Sequence, residues 1–249
     1  MTGSALRTAL AATGRLRVEP AAGWQRMRWA QSWPVVIRRT GAERVHLVHG
    51  AGGPLGGDAF ALELDVAARG VLRVGSAGAT IVQPGEPRPA RWDVRAAVAP
   101  GGRLEWTPEP SVVCDGAELA ATVRVQLGRD AGAVLREIVV LGRHGERGGR
   151  YRGELSIDID GHPLLAHRTL LDGADPVLCG PGGTARARAV GTFVLAGTAA
   201  TGETGDAAAD GPQLRWAWTP LPGPGLMLLA VGEPRAVVEL FDRAATAAG

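Results

Sequence analysis

The chain has 249 residues, with a hydrophobic fraction of 45% and a charged fraction of 21%, values typical of a folded globular protein. Its 27 basic side chains, all arginine, are nearly balanced by 25 acidic ones, and the formal charge of +2 argues against nucleic-acid binding. The length is sufficient for one large all-β domain with a sizeable core, so we expect residues 1–249 to form a single domain.

Several enzyme classes are excluded by residue types that the sequence lacks. Without lysine, the chain can be neither a Schiff-base enzyme nor a P-loop NTPase, and no serine lies in a Gly-x-Ser-x-Gly elbow. Cys114 and Cys179 are too few for a disulfide framework and lack the paired spacing of a zinc site. No apolar run reaches the roughly 18 residues of a membrane span, so we expect a cytoplasmic protein without membrane contact.

Short segments with a period of two follow one another through the first half of the chain. Apolar residues occupy alternate positions, and each segment ends at Gly, Pro or Ala-Arg-Gly, a pattern typical of half-buried strands. We predict strands at residues 16–18, 35–37, 45–48, 60–66, 71–74, 92–98, 103–106 and 122–127.

The second half continues this pattern and ends differently. We predict strands at 134–141, 151–159 and 214–218, a fully buried strand at 225–231, helices at 234–245 and 184–190, and a mobile loop at 201–212. Many short strands at a spacing of roughly 8–12 residues, with few helical windows, indicate a mainly β fold of stacked or sandwiched sheets.

A glycine-rich loop, Gly-Gly-Pro-Leu-Gly-Gly-Asp at 52–58, stands between two of these strands. Its glycines permit positive φ angles and a close approach to neighbouring backbone. The carboxylate of Asp58 has two open roles: it can accept hydrogen bonds from the loop's own N–H groups, or it can point outward as a ligand or proton acceptor.

The histidines do not form a metal site that can be recognised from spacing. His46 and His49 are three residues apart on a predicted strand, which places them on opposite faces, and the same holds for His162 and His167 if that segment is extended. His144 lies in an Arg/Gly-rich turn, where we expect it to face solvent.

Several motifs occur in the order and spacing of a known family. They are Gly-Gly-x-Leu-Gly-Gly-Asp at 52–58, Leu-Glu-Trp-Thr-Pro-Glu-Pro-x-x-x-Cys-Asp-Gly-Ala at 104–117, Leu-Arg-Glu-Ile at 135–138, Tyr-Arg-Gly-Glu at 151–154 and Asp-Gly-x-Pro-Leu-Leu-x-x-Arg at 160–168. Together they resemble the urease accessory protein UreD, called UreH in some bacteria. The chain departs from the family in lacking a lysine near Thr80 and in having Glu109-Pro110 where a Gln-Glu pair is usual.

The resemblance implies a fold and a function. UreD-like proteins are mainly β, with stacked antiparallel or mixed sheets in a helix-like winding and a short C-terminal α-helix. They are non-enzymatic scaffolds that form a hetero-oligomer with UreF, join the GTPase UreG through UreF, and dock on apo-urease. Nickel reaches the urease active site through a water-filled passage, so Ni²⁺ is in transit and no cofactor is tightly bound.

Three carboxylates in the matched motifs are candidate ligands of such a passage: Asp58, Asp115 and Glu137. If they face inward, each can exchange a water of hydrated Ni²⁺ without trapping the ion. Alternatively, Asp58 and Asp115 cap turns, and Glu137 pairs with an arginine. A second reading of the whole chain also stays open, namely a β-sandwich binding module or β-fold hydrolase that shares these loops.

Overall fold

The computed structural model describes residues 9–21, 24–200, 208–209 and 214–247. Within them are two β-sheets and one helix. The elements are β1 (Ala11–Ala21), β2 (Trp24–Gln31), β3 (Val35–Arg39), β4 (Arg44–His49), β5 (Ala59–Val66), β6 (Val71–Ser76), β7 (Thr80–Val82), β8 (Ala90–Val98), β9 (Arg103–Trp106), β10 (Ser111–Val113), β11 (Glu118–Leu127), β12 (Gly132–Leu141), β13 (Arg150–Ile159), β14 (His162–Asp172), β15 (Ala189–Gly197), β16 (Ala208–Ala209), β17 (Leu214–Pro220), β18 (Gly225–Gly232) and α1 (Pro234–Ala247).

The first sheet has seven strands in the order β14-β13-β11-β8-β5-β1-β2. Its five inner strands, from β13 to β1, are all parallel, and an antiparallel strand closes each side. The second sheet has eleven strands. Its main path is β16-β17-β18-β15-β12-β9-β6-β4-β3, and β7 and β10 pair beside β12.

The chain alternates between the two sheets as it advances. It runs from β4 to β5, back to β6, over to β8, back to β9, and so on to β13. Each return adds one parallel strand next to the previous one in the same sheet, which produces a solenoid-like winding. The predicted mainly β fold with stacked, mixed sheets is therefore confirmed.

The main core lies between the sheets because alternate residues of each strand point inward. Leu62 and Leu64 of β5 and Leu72 of β6, for example, are almost completely buried in one cluster. A second cluster lies outside the eleven-stranded sheet, where α1 packs on β15 and β18. There the rings of Phe193 and Phe241 have centroids 5.6 Å apart.

The predicted C-terminal helix at 234–245 is confirmed as α1, which begins at Pro234, a residue suited to the first helical position. The predicted helix at 184–190 is wrong. Residues 181–186 form turns, with positive φ at Ala185 and Arg186, and β15 starts at Ala189. Most of the predicted loop at 201–212 lies outside the described residues.

Two further expectations concern the chain as a whole. Among the described residues, no helix is long and apolar enough to cross a membrane. That residues 1–249 form a single domain stays a prediction.

Candidate functional site

A narrow cavity of about 50 Å³ lies between the two sheets and reaches the glycine-rich loop at Pro54. Trp92 and Tyr151 line it from the seven-stranded sheet, and Trp106 and Glu137 from the other. A cavity that exceeds about 10–15 Å³ and has polar walls can hold ordered water. This cavity therefore has room for a small number of water molecules.

The most deeply enclosed acid of the cavity is paired with a tyrosine. The Tyr151 hydroxyl donates a hydrogen bond to Oε1 of Glu137. Part of Glu137 faces the cavity, but protein surrounds its carboxyl group. This loss of hydration raises the pKa of Glu137, whereas the hydrogen bond from Tyr151 lowers it by a smaller amount. Burial, followed by the charge of Glu137, raises the pKa of Tyr151 well above its ordinary value. Tyr151 therefore stays a protonated donor.

A histidine lines the same cavity. His49 ends β4, where the alternation of inward residues Val45 and Leu47 also turns the imidazole inward. Its Nε2 atom lies 3.1 Å from the Thr80 hydroxyl, whereas its buried Nδ1 atom has no hydrogen-bond partner among the described residues. Burial lowers its pKa, which favours the neutral imidazole that can act as a metal ligand.

A buried arginine braces one wall. Arg136 is only 5% exposed and donates to the carbonyl oxygens of Thr107 and Pro108, at 3.0 Å each. Two carboxylates balance its charge: Asp242 at 2.6 Å and Glu109 at 3.3 Å. Because Glu109 also lines the cavity and is 42% exposed, this wall extends to the protein surface.

The glycine-rich loop is held by Asp58, which is 1% exposed. Its Oδ2 atom accepts from the backbone N–H of Leu55 at 2.9 Å, and its Oδ1 atom accepts from that of Leu10 at 2.7 Å. Of the two roles left open by the sequence, the hydrogen bond to the loop's own N–H group is present. Asp58 is not among the residues that line the cavity.

Asp115 is exposed in the turn after β10. Its backbone N–H donates to Oε2 of Glu146 at 3.2 Å, and the same oxygen accepts from the N–H of Arg143. The hydrogen bond from the Arg143 side chain, from Nε to Oε1 at 2.8 Å, is the main cause that lowers the pKa of Glu146 to about 2. Asp115 does not line the cavity.

Of the three carboxylates proposed from the sequence, the structure thus places Glu137 alone in the cavity wall. The expected pairing of Glu137 with an arginine is not seen among the described residues, and Tyr151 takes that place. In the same ranges, no group of three or more His, Cys, Asp or Glu side chains is arranged to hold a metal ion.

Sequence reasoning did not assign His49, Tyr151 and Arg136 to a site. Arg136, which directly precedes Glu137, and Tyr151 both lie within the matched motifs. Strand alternation places His49 and His46 on opposite faces of β4. What the sequence does not reveal is that β12 and β13, which carry Glu137 and Tyr151, belong to different sheets and face each other.

Comparison with known proteins decides the family. The sequence model of the UreD urease accessory protein family matches residues 11–247. The chain belongs to the UreD family.

Relatives named as urease accessory proteins agree with this assignment. The UreD of Frankia casuarinae is 35% identical, with 91% of this chain and 86% of the relative aligned. UreD 3 of Streptomyces griseus is 36% identical over 94% and 95% of the two chains. The UreD of Streptomyces coelicolor is 44% identical over 65% and 66%. The cavity and its polar residues therefore belong to a UreD protein, a family named for an accessory role in urease maturation.

Proposed function

We propose that this UreD-family chain is a non-enzymatic, cytoplasmic scaffold that binds apo-urease and UreF, joins UreG through UreF, and passes Ni²⁺ to the urease active site. The observation that carries the nickel step is a water-sized cavity between the sheets with the hydrogen-bonded pair Glu137 and Tyr151 in its wall. A module of unrelated function that shares only a few loops is not supported, because the family match spans residues 11–247.

The chemistry of the cavity suits an ion in transit. Nickel accepts oxygen and imidazole nitrogen ligands, and here Glu137 and His49 supply one of each. Because about 50 Å³ is too little for a fully hydrated ion, passage requires exchange of water for groups of the wall.

Within this proposal the three carboxylates have different positions. Glu137 is the ligand in the cavity wall. Asp58 holds the loop whose Pro54 lines the cavity, and Asp115 stands at the exposed turn after β10. Asp58 and Asp115 remain proposed ligands of the route outside this cavity.

The test is in vitro activation of apo-urease with UreF, UreG and the variants Glu137→Gln and Asp58→Ala/Glu137→Ala. Complex formation is measured by size-exclusion chromatography and nickel per urease by elemental analysis. Glu43→Gln is the matched control, because Glu43 is a surface carboxylate near β4, away from the cavity.

We expect the variants to form the complex and to deliver less nickel, with the larger deficit for the double variant. A route of weak, exchanging ligands tolerates one loss better than two. Normal nickel loading by the double variant, in a complex that forms normally, would exclude Asp58 and Glu137 from the mechanism. If the wild-type chain forms no complex with apo-urease, UreF and UreG, the scaffold role itself is contradicted.

A further inference from the structure

Four arginines form a cationic patch on the outer face of the seven-stranded sheet: Arg91 and Arg95 of β8, Arg124 of β11 and Arg152 of β13. We call this patch the arginine face. Arg95 is directly opposite Arg124 in the register of the parallel strands, and Arg91 and Arg152 are both opposite Ala120. All four side chains are exposed.

The charges of this patch are unbalanced, in contrast to those around it. Nearer the sides of the same face, carboxylates meet arginines in four ion pairs: Arg15–Glu63, Arg17–Asp65, Arg150–Glu118 and Arg168–Glu154. Within the part of the chain that the structure describes, no side chain of the arginine face makes an ion pair or a side-chain hydrogen bond.

Asp93 lies within the patch, and Glu63 of β5 lies directly opposite Arg95 but is already paired with Arg15. Asp93 stands between Arg91 and Arg95 on β8 and has the same orientation. It offsets one of four positive charges. Like charges directly opposite each other, as at Arg95 and Arg124, destabilise a sheet. The fold therefore carries a cost here that an anionic partner would relieve.

The dimensions of the patch indicate what kind of anion fits. Neighbouring strands are about 4.8 Å apart and residues rise about 3.3 Å along a strand. The four Cα atoms thus span roughly 10 Å by 13 Å on a twisted sheet without a cradle of backbone N–H groups. Several separate carboxylates match this spacing better than a single phosphate, and Arg side chains are enriched in protein interfaces.

We propose that the arginine face binds an acidic surface of a protein partner. This inference rests on the proposed function, since it assigns the contact to a protein of the urease maturation complex. It is separate from the cavity, because Trp92, Val123 and Tyr151 of the same strands point to the opposite side of the sheet. A net charge of +2 for the whole chain disfavours nucleic acid.

The test uses the full-length chain with purified apo-urease and UreF of the same organism as probes, separately and together, at low and high salt. The main variant is Arg95→Glu/Arg124→Glu. The matched control is Arg186→Glu/Arg243→Glu, which makes the same change of charge at exposed arginines outside both sheets, in the turns before β15 and on α1. Arg95→Lys/Arg124→Lys retains the charge.

We expect the main variant to bind one of the two probes about tenfold more weakly at low salt, with a smaller difference at high salt because ions screen the contact. The control and the lysine variant should bind nearly as the wild type does. Arg124→Glu alone places opposite charges across β8 and β11, so it should fold at least as well as the wild type while it also binds more weakly.

Three results would overturn the proposal. The first is unchanged binding of both probes by the main variant, provided that the wild type binds them. The second is an equal loss in the control, which would indicate a general effect of net charge. A DNA duplex and anionic vesicles serve as two further probes, and the third result is an effect of the main variant that is confined to them. A wild-type chain that binds neither probe contradicts the proposed function instead, so the two failures are distinguishable.

Discussion

Arg136, in the middle of β12, donates from Nη1 to Oδ1 of Asp242 in the C-terminal helix across 2.6 Å. The two residues are 106 positions apart in the chain. Since Arg136 also bonds the backbone of Thr107 and Pro108, one guanidinium connects α1 to a wall of the cavity.

We expect Asp242→Ala to lower the free energy of unfolding by about 1 kcal/mol. This loss is smaller than that of a buried charge-assisted hydrogen bond, because the Asp242 side chain is mostly exposed. Arg136→Met should cost about 3 kcal/mol, mainly because it leaves the carbonyl oxygens of Thr107 and Pro108 without their donor. Glu239→Ala is the control: its ion pair with Arg235 is exposed and lies within the helix, so the loss should stay below about 0.5 kcal/mol. Urea unfolding measures all three, and equal costs for Asp242→Ala and Glu239→Ala would contradict the connection.

Two adjacent glycines of the loop should respond differently to alanine. A Cβ atom at Gly53 would lie 2.0 Å from the carbonyl oxygen of Ile81, at a φ of +114°. At Gly52 the φ is +74° and no atom lies within 4 Å, so Gly52→Ala should cost only the backbone strain of about 1–2 kcal/mol. Gly53→Ala should yield little folded protein. Similar melting temperatures of the two variants would show that the loop moves away from Ile81 at little cost.

Valine at Gly56 or Gly57 should also lower the yield of folded protein, for two different reasons. Gly57 has a φ of +92°, which a β-branched residue strongly disfavours. The φ angle of Gly56 is not positive, but a Cβ atom at this residue would lie 2.5 Å from the carbonyl oxygen of Glu86. The yield, the melting temperature and binding to UreF are the measurements. Wild-type values for both variants would mean that the loop is only a flexible spacer.

Glu137 should make stability depend on pH. Folding raises its pKa, so the folded chain holds this proton more tightly than the unfolded one. Its contribution is complete below the unfolded pKa of about 4.3 and is lost as the pH rises through the raised value. Relative to the wild type, Glu137→Gln should therefore gain stability from about pH 4 toward neutrality.

Tyr151→Phe gives an independent check of that cause. The variant removes the hydrogen bond that lowers the pKa of Glu137, so the loss of stability should extend to higher pH than in the wild type. Chemical denaturation across the pH range measures both effects. If the difference in free energy of unfolding between Glu137→Gln and the wild type does not change with pH, the pH dependence cannot be assigned to Glu137.

Exposed tryptophans should make the isolated chain prone to aggregation. Trp29 is 41% and Trp33 60% exposed, and Val48 on β4 is exposed as well. Apolar surface of this kind often marks an interface, so we expect aggregates unless UreF is co-expressed. Trp33→Gln should reduce aggregation and weaken co-elution with UreF, whereas Leu170→Gln, at the β14 side of the molecule, should not affect UreF. A stable monomer whose solubility does not depend on UreF would refute this expectation.

Much of the fold follows from local patterns. The alternation at 60–66 reappears as β5, and the apolar run at 225–231 as β18. The sequence pattern does not reveal β14, because this strand lies at the edge of a sheet, where Pro163 and several polar residues face solvent and weaken the alternation. Ala and Arg at 185–188 favour a helix in isolation, but residues 181–186 form turns and the chain is paired with β12 from Ala189 onward.

The candidate site was less predictable, because it depends on contacts between sheets. Alternation shows that His49 faces inward, yet nothing local reveals Thr80 and Trp92 as its neighbours. Composition cannot distinguish the enclosed Glu137 from the exposed Asp115. Their different environments arise only when successive turns of the winding stack.

The order of winding also affects how the protein is made. Parallel strands can dock one after another as the chain leaves the ribosome, but Asp242 is translated 106 residues after Arg136. At about 5–20 residues per second, the nascent chain carries this guanidinium without its helical partner for roughly 5–20 s. The apolar side of β15 and β18 also stays uncovered until α1 emerges. A nascent chain that still lacks α1 is therefore open to chaperone capture at this surface.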